Sequence, residues 1–388
     1  DSLANSVKGE VVTPEHPDYD ASLSRWAKNT QRKAGLVVFV KDTEDVVAAV
    51  SHAKANNVPV AVRGGGANPF GKSSVEDGLV IDLSRHLNLV RVDAETRLTY
   101  VGGGAVWKDV DTAAIKHGLA TVGATVNHVR VTLHGGYGWL SGRHGLAIDN
   151  LKQVTIVTED GSVLTANDES NQDLFWAVRG GGGNFGVITE FVLQLHPQRS
   201  TVYAGRIIFT PDKVHSLIEV TNAWYSHVKE DEGMVQIVTV SPAGAPVVAV
   251  FLFYNGSEDE GRANFKGFFD IGPVRDDSGE IPYDDVNALM SDRIQPGNCY
   301  SVKAIVQESV DYPSTMQLLQ KTGELEAGGL YSSYVLFEYF PLTKINSVPP
   351  SATAARRDLL PNALVVLKWS GDSPDKSDEA NAIVENLV

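Results

Sequence analysis

The segment Asp173-Leu174-Phe175-Trp176-Ala177-Val178-Arg179-Gly180-Gly181-Gly182-Gly183-Asn184-Phe185-Gly186-Val187 joins a short helical pattern to a dense glycine cluster and then to a strand. Asp173–Val178 reads as helix, and Val187–Leu195 as a strand stopped by Pro197. Gly181, Gly183 and Gly186 satisfy the spacing of a GxGxxG dinucleotide fingerprint. That fingerprint works when it follows a strand and opens a helix, so that the pyrophosphate sits on the helix N-terminus. Here the order is reversed, and an ordinary Rossmann reading fails.

Three more glycine clusters lie upstream. Val58–Val62 reads as a strand running into Arg63-Gly64-Gly65-Gly66, and Leu98–Val101 as one ending in Gly102-Gly103-Gly104. The second does open a helix, carrying Val106, Val110, Ala113 and His117 with Gly118 as its stop, but Trp107 stands where a third fingerprint glycine belongs. Gly135-Gly136-Tyr137-Gly138 is the remaining cluster, and no GxxxxGK[ST] loop occurs. Glycine lets backbone amides crowd a ligand, and successive amides form nests suited to a pyrophosphate. Four such clusters favour a ligand cradle over tight turns alone.

Between the clusters, Gly35–Val40 and Leu79–Asp82 read as strands. Asp42 or Thr43 caps a helix bearing Val46, Val50 and Ala53 on one face. Leu151–Ile156 and Val163–Thr165 flank the turn Glu159-Asp160-Gly161-Ser162. Beyond Pro197 the glycine clusters vanish. Strands at Val202–Phe209, Met234–Val240, Val247–Tyr254 and Tyr331–Phe340 alternate with helical stretches near 211–228 and 258–268. The sequence therefore predicts two domains, 1–198 and 199–388.

The 388 residues are 43% hydrophobic and 21% charged, as in a globular protein. A net charge of −15 opposes a nucleic-acid partner, which would need a basic surface. No apolar run is long enough for a membrane span. The lone Cys299 rules out an internal disulfide and reads as a small buried hydrophobe. No leader pattern precedes Asp1, so a cytoplasmic or vesicular location is expected, or a secreted one if a signal peptide has been removed.

The residues that fail the Rossmann test resemble another family. Val60–Gly66, Val80-Ile81-Asp82-Leu83-Ser84, Val101–Gly104, His134-Gly135-Gly136-Tyr137-Gly138-Trp139-Leu140-Ser141, Gly145–Asn150 and the 173–187 block together resemble the FAD-binding domain of berberine-bridge-enzyme-like and 6-hydroxynicotine-oxidase-like oxidases. The resemblance is strong over about residues 30–198 and weaker beyond. It implies an α+β, two-domain PCMH-type FAD-binding fold: an FAD-binding domain of two α+β subdomains, and an antiparallel-sheet substrate domain. It implies hydride transfer from a small organic substrate to flavin, with O2 as the acceptor. Cofactor contacts would fall to Arg63, Gly64, Gly65, Gly66, Ala67, Asn68, Gly123, Thr125, Asn127, His128, Gly135, Gly136, Gly138, Asn184, Gly186, Val187 and Ile188.

Glu338 matches the glutamate that serves as base in some members. If 331–340 is a strand, Tyr334, Leu336 and Glu338 share one face. A partly desolvated carboxylate there could have its pKa raised and take a substrate proton. Tyr334 and Glu338 are thus the candidate catalytic pair, against the alternative of a strand-face glutamate in an ion pair.

Three departures matter. Ala67 follows the triple glycine where the family carries a flavin-linking histidine, and Val126 stands at the position of the second, cysteine link, so FAD is expected to be held non-covalently. Between Asn127-His128 and Gly135 the chain is shorter and poorer in glycine than the family. Arg130 and His134 there would either crowd the pyrophosphate or add positive donors to it. The Tyr- and Asn-rich C-terminal segment that returns to the flavin domain is not evident before Val388. These departures keep a redox-silent cyclase, isomerase or binding protein as the alternative. No HExxH, GxSxG or Cys/His metal spacing occurs, and oligomeric state is not legible.

Overall fold

In the computed structural model, which describes residues 3–128, 133–291, 294–306, 310–372 and 375–387, the chain divides into two compact units. The first comprises 1–138, 144–198 and 348–357; the second comprises 139–143, 199–347 and 358–388. The sequence placed a single division near 198. The chain divides there and at two further excursions, and 348–357 returns to the first unit well before the C-terminus.

The first unit holds two larger sheets and, among the described residues, a two-stranded pair of Leu119–Ala120 with His196–Pro197. Leu36–Phe39, Leu79–Asp82 and Val60–Arg63 run parallel, and Glu10–Val12 adds an antiparallel edge. The helix Thr43–Ala55 makes the crossover that parallel strands require. Asp42 is its cap, accepting the Asp45 amide at 3.0 Å, and Val46, Ala49 and Ala53 are buried against the sheet. The second sheet is antiparallel, in the order Val90–Asp93, Leu98–Gly102, Val187–Gln194, Leu151–Val157, Val163–Asn167.

The Gly102–Gly104 cluster serves backbone packing, and Gly103 also lines a cavity of this unit. A Cβ on Gly104 would stand 2.0 Å from the Leu83 carbonyl oxygen, and one on Gly103 would stand 2.3 Å from that of Ile188. These glycines let two strands and a loop cross at backbone contact.

The second unit is built on an eight-stranded antiparallel sheet whose middle strands are Pro246–Tyr254, Glu232–Val240, Ser332–Tyr339 and Asn362–Trp369. Helices Val214–Tyr225, Tyr312–Ala327 and Ser377–Leu387 cover one face. Their apolar residues meet Val238, Val250, Val335, Phe337, Val365 and Leu367 in a single core. Trp139 is buried in this unit, edge-on to Phe340 at 5.4 Å and near Phe253 at 5.3 Å, so it packs as its sequence context suggests. Among the described residues, no helix is long and apolar enough to cross a membrane.

Candidate cofactor and catalytic sites

A cavity of about 590 Å³ opens in the first unit where strand Val60–Arg63 runs into the glycine loop. Gly64, Gly65, Gly66, Ala67, Asn68, Lys72 and Ser73 form one part of its wall. Leu133, His134, Gly183, Asn184, Gly186 and Ile188 form another. Arg63 does not line it but anchors the loop. Its guanidinium donates to Asp82 Oδ2 at 2.9 Å, and Asp82, fully buried, holds Ser84 through its other oxygen at 2.6 and 2.8 Å. The Asn68 carboxamide oxygen accepts the amides of Phe70 and Lys72, which shapes the turn beyond Ala67.

Of the residues assigned to the cofactor from sequence, the cavity wall contains Gly64, Gly65, Gly66, Ala67, Asn68, Asn184, Gly186 and Ile188. Arg63, Gly123, Thr125, Asn127, His128, Gly135, Gly136, Gly138 and Val187 stand outside it. Gly138 packs on Gly123, where a Cβ would lie 2.7 Å from the carbonyl oxygen. The carbonyls of Gly135 and Gly136 accept the amides of Ile148 and Ala147. Val187 is a core residue paired with Val157. His128 lies behind the loop. Its carbonyl faces Gly65, its ring stacks on Trp26 at 6.1 Å, and burial pushes its pKa down. Arg130 lies outside the described residues. His134 lies in a turn.

The sequence missed the N-terminal support of the cradle. Arg25 is buried and donates through Nε to the Ser73 carbonyl at 2.9 Å and through Nη1 to that of Ser24 at 2.9 Å. The Trp26 amide reaches the Gly66 carbonyl at 3.1 Å. Burial, with the charge of Arg63 adding to it, lowers the Arg25 pKa to about 10. Nothing local in Ser24-Arg25-Trp26 marks this arginine as buried; only tertiary packing does.

Buried polar atoms ordinarily find a partner, so those without one point to something else that satisfies them. In the cavity wall, Ser73 Oγ is buried with no partner among the described residues, and outside that wall so are Arg63 Nε, Asn127 Oδ1 and His128 Nε2. Space beside Gly183 is open, with nothing within 4 Å of where a Cβ would stand. A cradle of glycine amides, unsatisfied donors and acceptors, and a volume in the usual ligand range fits a polar, phosphate-bearing cofactor such as FAD.

In the second unit, Val335, Phe337 and Tyr339 point into the helix-covered core, which turns Tyr334, Leu336 and Glu338 to the opposite face. Glu338 is only 9% exposed, and Asn362 on the next strand donates to its Oε2 at 3.0 Å. Its row neighbour on the other side is Val235. Tyr334 is buried beside Val366. A buried carboxylate oriented by the Asn362 carboxamide suits a proton acceptor.

These features define a flavoprotein with a PCMH-type FAD-binding fold. A family profile described as "FAD binding domain" matches residues 34–167. The FAD-linked oxidoreductase pgmH of Aspergillus terreus is 32% identical over 371 residues, covering 91% of this chain and 75% of that protein. The crystal structure of 6-hydroxy-D-nicotine oxidase from Arthrobacter nicotinovorans aligns with a TM-score of 0.88 at 27% identity, covering 98% of this chain and 85% of that one. The berberine-bridge-enzyme-like 1 protein of Physcomitrella patens shares the fold, with a TM-score of 0.86 at 20% identity over 100% of this chain and 87% of its own. The chain belongs to the FAD-linked oxidoreductases of the berberine-bridge-like and 6-hydroxynicotine-oxidase-like family, and its cofactor is FAD.

Proposed function

We propose that this chain oxidises a small organic substrate by hydride transfer to non-covalently held FAD, with O2 as the final acceptor and Glu338 as the base. Bound FAD supplies the electron-pair acceptor; the protein supplies positioning and proton management. The observation that carries this reading is Glu338 itself, a buried carboxylate oriented by Asn362 on the neighbouring strand. Its carboxylate would accept the proton that leaves a substrate hydroxyl or amine as the adjacent carbon is oxidised. Tyr334, two residues back on the same face, would orient the substrate. A screen of alcohols, amines, sugars and phenols by oxygen consumption tests the proposal. Oxidation of none of them by flavin-loaded protein would shift the reading to a redox-silent member.

Non-covalent attachment is supported by Ala67, which has no nucleophile and lies in the cavity wall. Ala67→His is expected to place an imidazole there and give some acid-stable flavin, read as yellow colour retained in the precipitated protein. Full release of flavin from the variant would mean that the wall at Leu133 and His134 keeps the ring out of reach.

A further inference from the structure

Lys72 and His134 both line the cavity; the sequence reading left open whether His134 crowds the pyrophosphate or donates to it, and gave Lys72 no role. Lys72 follows the Asn68 turn, which takes up its amide at 3.2 Å. His134 comes from the other wall, and its imidazole is seated directly over Gly182. A Cβ on Gly182 would stand 2.3 Å from Nε2, and the glycine has a φ of 73°, so the ring occupies the place where any other residue would project. The 180–183 turn pins this wall further, because the Gly180 and Gly182 amides both donate to the Leu133 carbonyl.

We propose that Lys72 and His134 clamp the diphosphate of FAD from the two walls of the cavity, and that FAD binding draws a proton onto His134. The inference rests on FAD as the ligand of this cavity. In the free protein, desolvation pushes the His134 pKa below its ordinary 6.5, and the charge of Lys72 lowers it further. The ring is therefore neutral near pH 7. No charged side chain of the 180–183 turn faces it, and Arg179 just before that turn is engaged with Phe175 and Asp168. Two fixed negative charges brought beside the ring reverse the balance, because an adjacent anion favours the imidazolium. The diphosphate diester does not itself titrate near neutrality, so the proton taken up belongs to the protein. The sign follows: His134 is raised in the complex relative to the free protein. FAD binding is tightest below the free-protein pKa and weakens as pH rises through that of the complex.

The test is flavin binding by fluorescence quenching at about pH 5.5 and about pH 8, spanning the range in which histidine titrates. FAD is compared with riboflavin, which has the ring but no diphosphate. FAD affinity is expected to fall about tenfold across that range, the change that a pKa displacement of about one unit produces. Riboflavin affinity should not change. His134→Gln should flatten the FAD profile, and Lys72→Gln should weaken FAD at both pH values while leaving riboflavin unaffected. Equal pH dependence for FAD and riboflavin in the unmodified protein, or an unchanged FAD profile in His134→Gln, overturns the inference while leaving FAD as the cofactor. Failure of the unmodified protein to bind FAD at either pH overturns both.

Discussion

Glu338→Gln is expected to lower turnover by at least about tenfold, within the range that general-base catalysis supplies, while flavin content stays unchanged. Glutamine keeps the size of the side chain, and its carbonyl can still accept the Asn362 carboxamide at the position now held by Oε2. The strand therefore has no reason to move, since Val335, Phe337 and Tyr339 on its other face keep their core. What the variant loses is the ability to take a proton. The control is absorbance of bound flavin per chain, which should match that of the unmodified protein because Glu338 belongs to the second unit and the FAD cradle to the first. Equal turnover would remove Glu338 from the chemistry and leave it as an orienting partner of Asn362.

Arg357→Ala is expected to destabilise the first unit by about 3 kcal/mol, the scale seen when one partner of a buried ion pair is removed. Arg357 is buried and forms a two-pronged pair with Asp149, at 2.9 Å to Oδ2 and 2.7 Å to Oδ1. It also donates to the Thr353 hydroxyl at 2.6 Å. The truncation leaves a largely buried carboxylate facing an empty space, and that uncompensated charge is the main cost. Asp149 Oδ2 also accepts the Leu146 amide at 2.8 Å, and Ala147 and Ile148 hold the Gly136 and Gly135 carbonyls, so the strain reaches the 135–136 turn. The measurement is the urea midpoint at unchanged slope. Arg357→Lys should fall between the two, since a single ammonium keeps the charge but loses the fork. A midpoint for Arg357→Ala equal to that of the unmodified chain would show the pair to be dispensable.

That pair also shows where the sequence is mute. Asp149 and Arg357 are far apart in the chain, and neither Gly145–Asn150 nor Ala355-Arg356-Arg357 announces its partner. The glycine-rich segments were more legible, because a cluster ending a strand carries its own physical meaning: the 64–66 and 183–186 loops do line one cavity. At Gly102 and Gly104 close approach serves the chain's own backbone, while Gly103 between them does line that cavity, and Gly138 packs on Gly123. Glycine reports proximity without saying what is near.

In the second unit, the strand Cys299–Val306 was not anticipated because polar Ser301 and Lys303 interrupt its core-facing side between Cys299 and Ile305. Ser301 bonds Asn381 at 2.6 Å and Lys303 pairs with Glu385, both on the helix Ser377–Leu387, so the usual apolar alternation is broken. Tyr331–Phe340, with aromatic and aliphatic residues on both faces, was legible as Ser332–Tyr339. Arg25 and Ser73, which brace the cofactor loop, depend on a contact across 48 positions. No local pattern encodes such a contact.

The most direct test of the central claim, a redox flavoprotein with non-covalent FAD, is the visible absorption spectrum of the purified protein, repeated on the supernatant after acid precipitation. The account predicts a flavin spectrum in the native protein and recovery of that flavin in the supernatant, with a colourless pellet. Absence of flavin from the protein, persisting after incubation with added FAD, would contradict it.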